Sequence, residues 1–138
     1  MSAMNESPDV ELWHRAWKAM TEGNLAVLEG ALAPDAKWHA IEEGPWSCQN
    51  RRAIIGMLSR HVAGGLRGRI EETIQNGPRV LVAFRPEQPI EGGRPLDDGI
   101  AYMVVTISDG EIVEMKGCAD RAAGMAYAQT GVMPESSI

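Results

Sequence analysis

His39, Glu72, Tyr102 and Asp120 are the side chains whose type and setting suit proton chemistry. His39 follows Trp38 on a short alternating run, and histidine is the commonest general acid or base near neutral pH. Its plainer reading is a hydrogen-bonded structural histidine. Glu72 shares parity with Ile70 and Ile74. On a regular strand it points the way they do, and a carboxyl group in an apolar pocket has a raised pKa and can move protons. A bulge would turn it outside. Tyr102 sits mid-strand, where it can donate to a ligand oxygen or simply pack. Asp120 stands between a strand and a helix. Its ordinary role there is helix cap, its sharper one an acid at a pocket mouth.

Four tryptophans, Trp13, Trp17, Trp38 and Trp46, fall in the first third of a chain with one phenylalanine. Trp13 and Trp17 lie one helical turn apart and are expected to wall a cavity. Tryptophan also fills cores where its N–H finds a partner. His61 reads as a core residue on an apolar helical stripe and His14 as rim. The three histidines lack metal-ligand spacing, so no metal is expected. There is no Gly-x-Ser-x-Gly elbow, no Walker loop and no Gly-x-Gly-x-x-Gly turn. Serine-hydrolase and nucleotide readings are thereby excluded, and no cofactor is expected.

The elements that must position these groups follow from spacing. Up to about Val62 apolar residues recur mostly at helical intervals; from Leu66 to Ala119 they recur at strand intervals. Ser7 caps a first helix that has Pro8 at its first position and buries Val10, Trp13, Trp17 and Met20. Leu25, Leu28 and Leu32 mark a second helix, which Pro34 is expected to stop. Ala36 to Ile41 reads as a short strand. A third helix starts near Asn50 and carries Ile54, Met57, Leu58, His61 and Val62, with Gly64-Gly65 closing it. Strands are expected over Arg69–Gln75 and Val80–Phe84, joined at Asn76-Gly77. The second is apolar on both faces and should be covered twice. Arg85 to Gly99, rich in proline and glycine, reads as a long loop edging a binding site, with Asp97-Asp98 as a solvated turn. Ile100–Ile107 and Glu111–Cys118 form a hairpin about Asp109-Gly110, and Asp120–Thr130 a last helix ended by Gly131.

A two-residue turn at Asp109-Gly110 sets a register. Thr106 then opposes Val113, Val104 opposes Met115, and Tyr102 opposes Gly117. Tyr102, Val104, Thr106, Val113 and Met115 share the less charged face, which is assigned to the helices and a cavity, with Val104 and Met115 in its lining. Ala101, Met103, Val105, Ile107, Ile112 and Cys118 share the other face with Glu114 and Lys116. An apolar face turned outward marks a protein contact, so a homodimer packed sheet to sheet is expected.

A chain of 138 residues makes one domain, which buries roughly two-thirds of its unfolded surface. It is expected over 8–133, with loose tails at 1–7 and 134–138. A net charge of -6 argues against a nucleic-acid partner, and the pair Arg67 and Arg69 is too small to reverse that. Cys48 and Cys118 make no disulfide framework and are expected to be reduced. Met1 to Pro8 lacks the apolar centre of a signal peptide, and no apolar run reaches membrane-helix length. The expectation is a cytoplasmic protein.

Several segments, in order, carry a family likeness. They are the Trp13/Trp17 helix, Pro34-Asp35-Ala36-Lys37-Trp38-His39, Gly44-Pro45-Trp46 leading to Arg51-Arg52-Ala53-Ile54, Asn76-Gly77-Pro78-Arg79-Val80-Leu81-Val82, Asp109-Gly110-Glu111-Ile112-Val113, and Asp120-Arg121. Over nearly its whole length the chain resembles the SnoaL-like branch of the nuclear transport factor 2-like superfamily. The resemblance implies an α+β cone: three N-terminal helices on a curved, mostly antiparallel sheet, a short C-terminal helix, a pocket, and a dimer. Relatives include polyketide cyclases, ketosteroid isomerases and limonene epoxide hydrolases, whose acids work on hydrophobic substrates. The Asp-Arg-Asp set of the epoxide hydrolases and the Tyr and twin-acid set of the isomerases are not matched here. What carries over is a pocket for a hydrophobic small molecule. Two functions fit it. One is a cofactor-independent isomerase, cyclase or hydrolase, with His39, Glu72 or Asp120 moving a proton and Tyr102 holding the oxygen of a carbonyl compound. The other is a ligand-binding or interaction module without chemistry. Polar content inside the cavity separates them.

Overall fold

Each helix of the chain begins where a short polar side chain can take a free N–H. A computed structural model describes residues 7–39, 47–61, 68–87, 99–118 and 120–131. Helix α1 (Pro8–Glu22) opens with the Ser7 hydroxyl accepting from the Val10 N–H at 3.1 Å and closes on Gly23 in the left-handed region. Its stripe Val10, Trp13, Trp17 and Met20 is buried. Helix α2 (Leu25–Ala31) is capped by Asn24, and α3 (Arg51–His61) by Asn50, whose Oδ1 accepts from the Ala53 N–H at 2.8 Å. The expected closing segment of α3, from Val62 through Gly64-Gly65, and the side chain of His61 lie outside the described residues. So does Asp97-Asp98.

Pro34 does not stop α2. The chain has already turned into strand β1 (Leu32–His39), and Pro34 sits within it. That is tolerated because β1 is an edge strand, where a missing N–H breaks no ladder. The other strands are β2 (Gly68–Asn76), β3 (Arg79–Pro86), β4 (Ala101–Ser108) and β5 (Glu111–Cys118). Their order is β1-β5-β4-β3-β2, antiparallel except for the parallel β1/β5 pair. Asp109 and Gly110 both take positive φ, 52° and 77°, as the two-residue hairpin turn requires.

The hairpin starts in the expected register, Ser108 opposite Glu111, and then slips. Ile107 opposes Ile112 but Thr106 opposes Glu114, which leaves Val113 as an extra residue. Beyond it Val105 faces Met115, Val104 faces Lys116, and Tyr102 faces Cys118. The expected face assignment of β4 is therefore reversed. Met103, Val105 and Ile107 join Ile112 and Met115 in the core under α1–α3, whereas Val104 and Tyr102 belong to the opposite face. Of the apolar patch that argued for sheet-to-sheet pairing, Ala101, Met103, Val105, Ile107 and Ile112 belong to this core and Cys118 to the opposite face. Among the described residues the large apolar side chain that stands exposed is Val27 on α2, at 49%.

A last helix, α4 (Arg121–Thr130), covers the opposite face. Asp120 caps it through the Ala123 N–H at 2.8 Å, and Gly131 ends it with φ 74°. Tyr127 and Ala128 pack on Leu81, Val104 and Cys118. The fit is close: a Cβ on Gly124 would stand 2.6 Å from Leu81 Cδ1. β3 is thus covered on both sides, with Val80, Val82 and Phe84 toward α1–α3 and Leu81 toward α4. Because Leu81 is 1% exposed and anchors α4, Leu81→Ala should lower the urea-unfolding free energy by about 2–5 kcal/mol.

Candidate functional site

The helix-facing side of the sheet gathers the tryptophans. Trp13 is fully buried with its ring centroid 6.0 Å from that of Trp17, which lies 5.2 Å from Phe84. Trp38 is half-buried against the same cluster, and Met115 is within it. A pair of backbone hydrogen bonds, Trp38 with Cys48 at 2.8 and 2.9 Å, ties β1 to the segment entering α3. Trp13, Trp17, Trp38 and Met115 are therefore brought together in one apolar cluster. Val104 is not, and Trp46 lies outside the described residues. Among the described residues this core holds no buried charged or polar side chain. Among the described residues its one unsatisfied polar side-chain group is the Trp13 indole N–H, buried without a hydrogen-bond acceptor. Such an orphan costs about 1–3 kcal/mol.

The four residues nominated for proton transfer stand elsewhere. β2 carries the bulge that turns Glu72 outward: Ile70 pairs with Phe84 but Glu72 with Ala83, so Ile70 faces the helical core and Glu72 the α4 side. There both its oxygens meet the Arg121 guanidinium at 3.1 Å. That pairing holds the Glu72 carboxyl below its usual range, the reverse of the raised pKa expected of a buried acid. Tyr102 is half-buried beside the α4 cluster, and Asp120 is occupied as the cap. His39 shares the outer face; its Nε2 is 3.5 Å from Glu114 Oε2.

Glu114 also lines a polar recess of about 340 Å³ beside the C-terminal end of α4. β1 supplies Asp35 and Lys37, β3 Arg79, β4 Thr106, β5 Glu114, and α4 Tyr127. The Tyr127 hydroxyl donates to Glu114 Oε1 in a short hydrogen bond, while the other Glu114 oxygen faces His39. Burial, and then the Glu114 carboxylate, push the Tyr127 proton well above its ordinary range. The Thr106 hydroxyl is buried without a partner. Sequence reading placed Glu114 outward but missed its company. Lys37, Arg79, Thr106 and Tyr127 are scattered over four elements, and the one available signal was charge at Glu114 and Lys116 on an otherwise apolar strand.

Burial also lifts the Cys118 thiol, beneath α4, from 9.0 to about 11. A proton held more tightly in the fold stabilises the fold below the unfolded pKa. That stabilisation disappears as pH rises from 9.0 toward 11. Thermal melting should therefore fall over this window, and Cys118→Ala should flatten the decline. Cys118 should also resist thiol reagents at pH 8 until the chain is unfolded.

No helix among the described residues is long and apolar enough to cross a membrane. No curated protein sequence matches the chain. Among solved structures, TerC co-crystallised with polyporic acid is 22% identical, with a TM-score of 0.66 over 87% of this chain and 97% of that one. A Mycobacterium tuberculosis epoxide hydrolase resembling limonene epoxide hydrolase is 16% identical, with a TM-score of 0.67 over 84% and 85%. A second M. tuberculosis protein, in complex with estradiol-17beta-hemisuccinate, is 15% identical, with a TM-score of 0.66 over 80% and 92%. These likenesses are of fold. The profile of the SnoaL-like domain matches residues 10–115, from α1 into β5, and the chain belongs to that family.

Proposed function

We propose that the chain binds an apolar small molecule carrying a hydrogen-bond acceptor, such as a ketone or phenol oxygen, on the α1–α3 side of its sheet. The observation that carries this reading is the Trp13 N–H, a lone donor buried without a partner in an otherwise apolar aromatic cluster. An acceptor on a ligand would satisfy it, and the rings of Trp17 and Phe84 would cover the ligand's apolar body. The fold neighbours that hold polyporic acid and a steroid ester support a ligand of this class.

Binding without chemistry is the better supported of the two functions. An acid or base would have to reach this ligand, yet His39, Glu72, Tyr102 and Asp120 all stand on the α4 side of the sheet or at its helix cap. Isothermal titration with a steroid ketone should show saturable binding. Trp13→Phe, which keeps the ring and removes the N–H, should weaken it by up to about tenfold. Unaltered affinity in that variant would remove the basis of the reading. Deuterium entering next to the carbonyl of the bound ketone would move it to catalysis.

A further inference from the structure

The ion pairs of the described residues leave several cations over, and two of these share one recess. Lys18 pairs with Glu22, Arg69 and Arg85 with Glu71, and Arg121 with Glu72. Lys37 and Arg79 have no carboxylate within 4.0 Å among the described residues, in a chain of net charge -6. Both line the outer-face recess. Lys37 stands directly beside Glu114 in the β1/β5 register, but Glu114 is engaged by Tyr127 and His39 instead. Thr106 lines the same recess, and its hydroxyl is buried with nothing to bond.

We propose that this recess is a second binding site, taking a small ligand through a single carboxylate or phosphate head. Lys37 and Arg79 supply the charge, and the Thr106 hydroxyl donates to one oxygen. Charge-assisted hydrogen bonds of this kind are stronger than neutral ones. Arg79 also has a structural setting, since its guanidinium lies against Gly131 at the end of α4, where the helix dipole favours a cation. That setting places the guanidinium beside the last turn of α4. Asp35, exposed at the rim, repels a second negative charge. The ligand therefore has an anionic head and a neutral or cationic remainder. The site is on the face opposite the tryptophans, so it stands or falls independently of the apolar pocket.

The test is an amide NMR titration with sodium phosphate and with sodium acetate, each against sodium chloride at equal ionic strength. Saturable shifts confined to Lys37, Arg79, Thr106 and Gly131 support the site, and the tighter probe names the head group. Thr106→Val keeps the side-chain volume, removes a hydroxyl that has no partner in the free chain, and should melt no lower than the parent. It should weaken anion binding by about tenfold, as should Lys37→Gln. Shifts that spread over the surface and track ionic strength would overturn the proposal. So would a Thr106→Val variant that binds like the parent. So would a dimer by sedimentation whose recess amides are protected and do not respond to either anion.

Discussion

Helices and sheet meet through one unbroken apolar layer. That layer is continuous only because β5 carries one residue more than β4 between the turn and the middle of the hairpin. Without Val113 as the extra residue, the alternation begun at Ser108 and Glu111 would continue and set Glu114 across from Met103 or Val105's side of the sheet. With it, Val105 and Met115 come opposite each other on the helical side, and Glu114 and Lys116 are carried to the other. A strand's side chains alternate with period two, so a one-residue shift exchanges every face beyond it. The bulge thereby decides two things together: that the helical side is uniformly apolar, and that the α4 side receives the carboxylate on which Tyr127 and His39 converge.

Most of the fold was legible in the sequence because its boundaries are local. Ser7, Asn50 and Asp120 cap helices through bonds to residues three positions on. Gly77 and the Asp109-Gly110 pair mark turns that need positive φ. What was not legible is where a strand departs from strict alternation. Neither Glu71 nor Val113 announces itself as an extra residue; each is set by what lies across the sheet. Their neighbours were accordingly given the wrong side, Glu72 within a pocket, and Tyr102 and Val104 under the helices. The weaker charge of the even-numbered β4 face also misled for a physical reason. α4 covers that face, so it needs apolar residues as much as the other does. Pro34 was read as a helix stop because an edge position cannot be recognised before the strand order is known.

Among the described residues two side-chain polar groups are buried without partners, and the sheet separates them. The Trp13 N–H is a donor among aromatic rings; the Thr106 hydroxyl lies among charges. Each is a small standing cost, since a buried polar group forgoes its hydrogen bonds to water. Their surroundings call for different chemistry, an apolar body with one oxygen in the first case and a charged head in the second. The proton-moving candidates do not reach the tryptophan cluster. Glu72 is neutralised at the surface by Arg121 and Asp120 is spent on α4, so the carboxylate with the richest company is Glu114, on the side of β5 that α4 reaches through Tyr127.

The two margins of the sheet carry their own consequence. β1 presents Pro34, which has no N–H to offer, with exposed Asp35 beside it. β2 presents Arg69 and Glu71, bridged to each other at 2.7 Å. Neither margin offers an uncharged ladder on which another molecule's strand could grow. The chain thus keeps a continuous five-stranded sheet, rich in valine and isoleucine, while denying it the means to extend into a fibril.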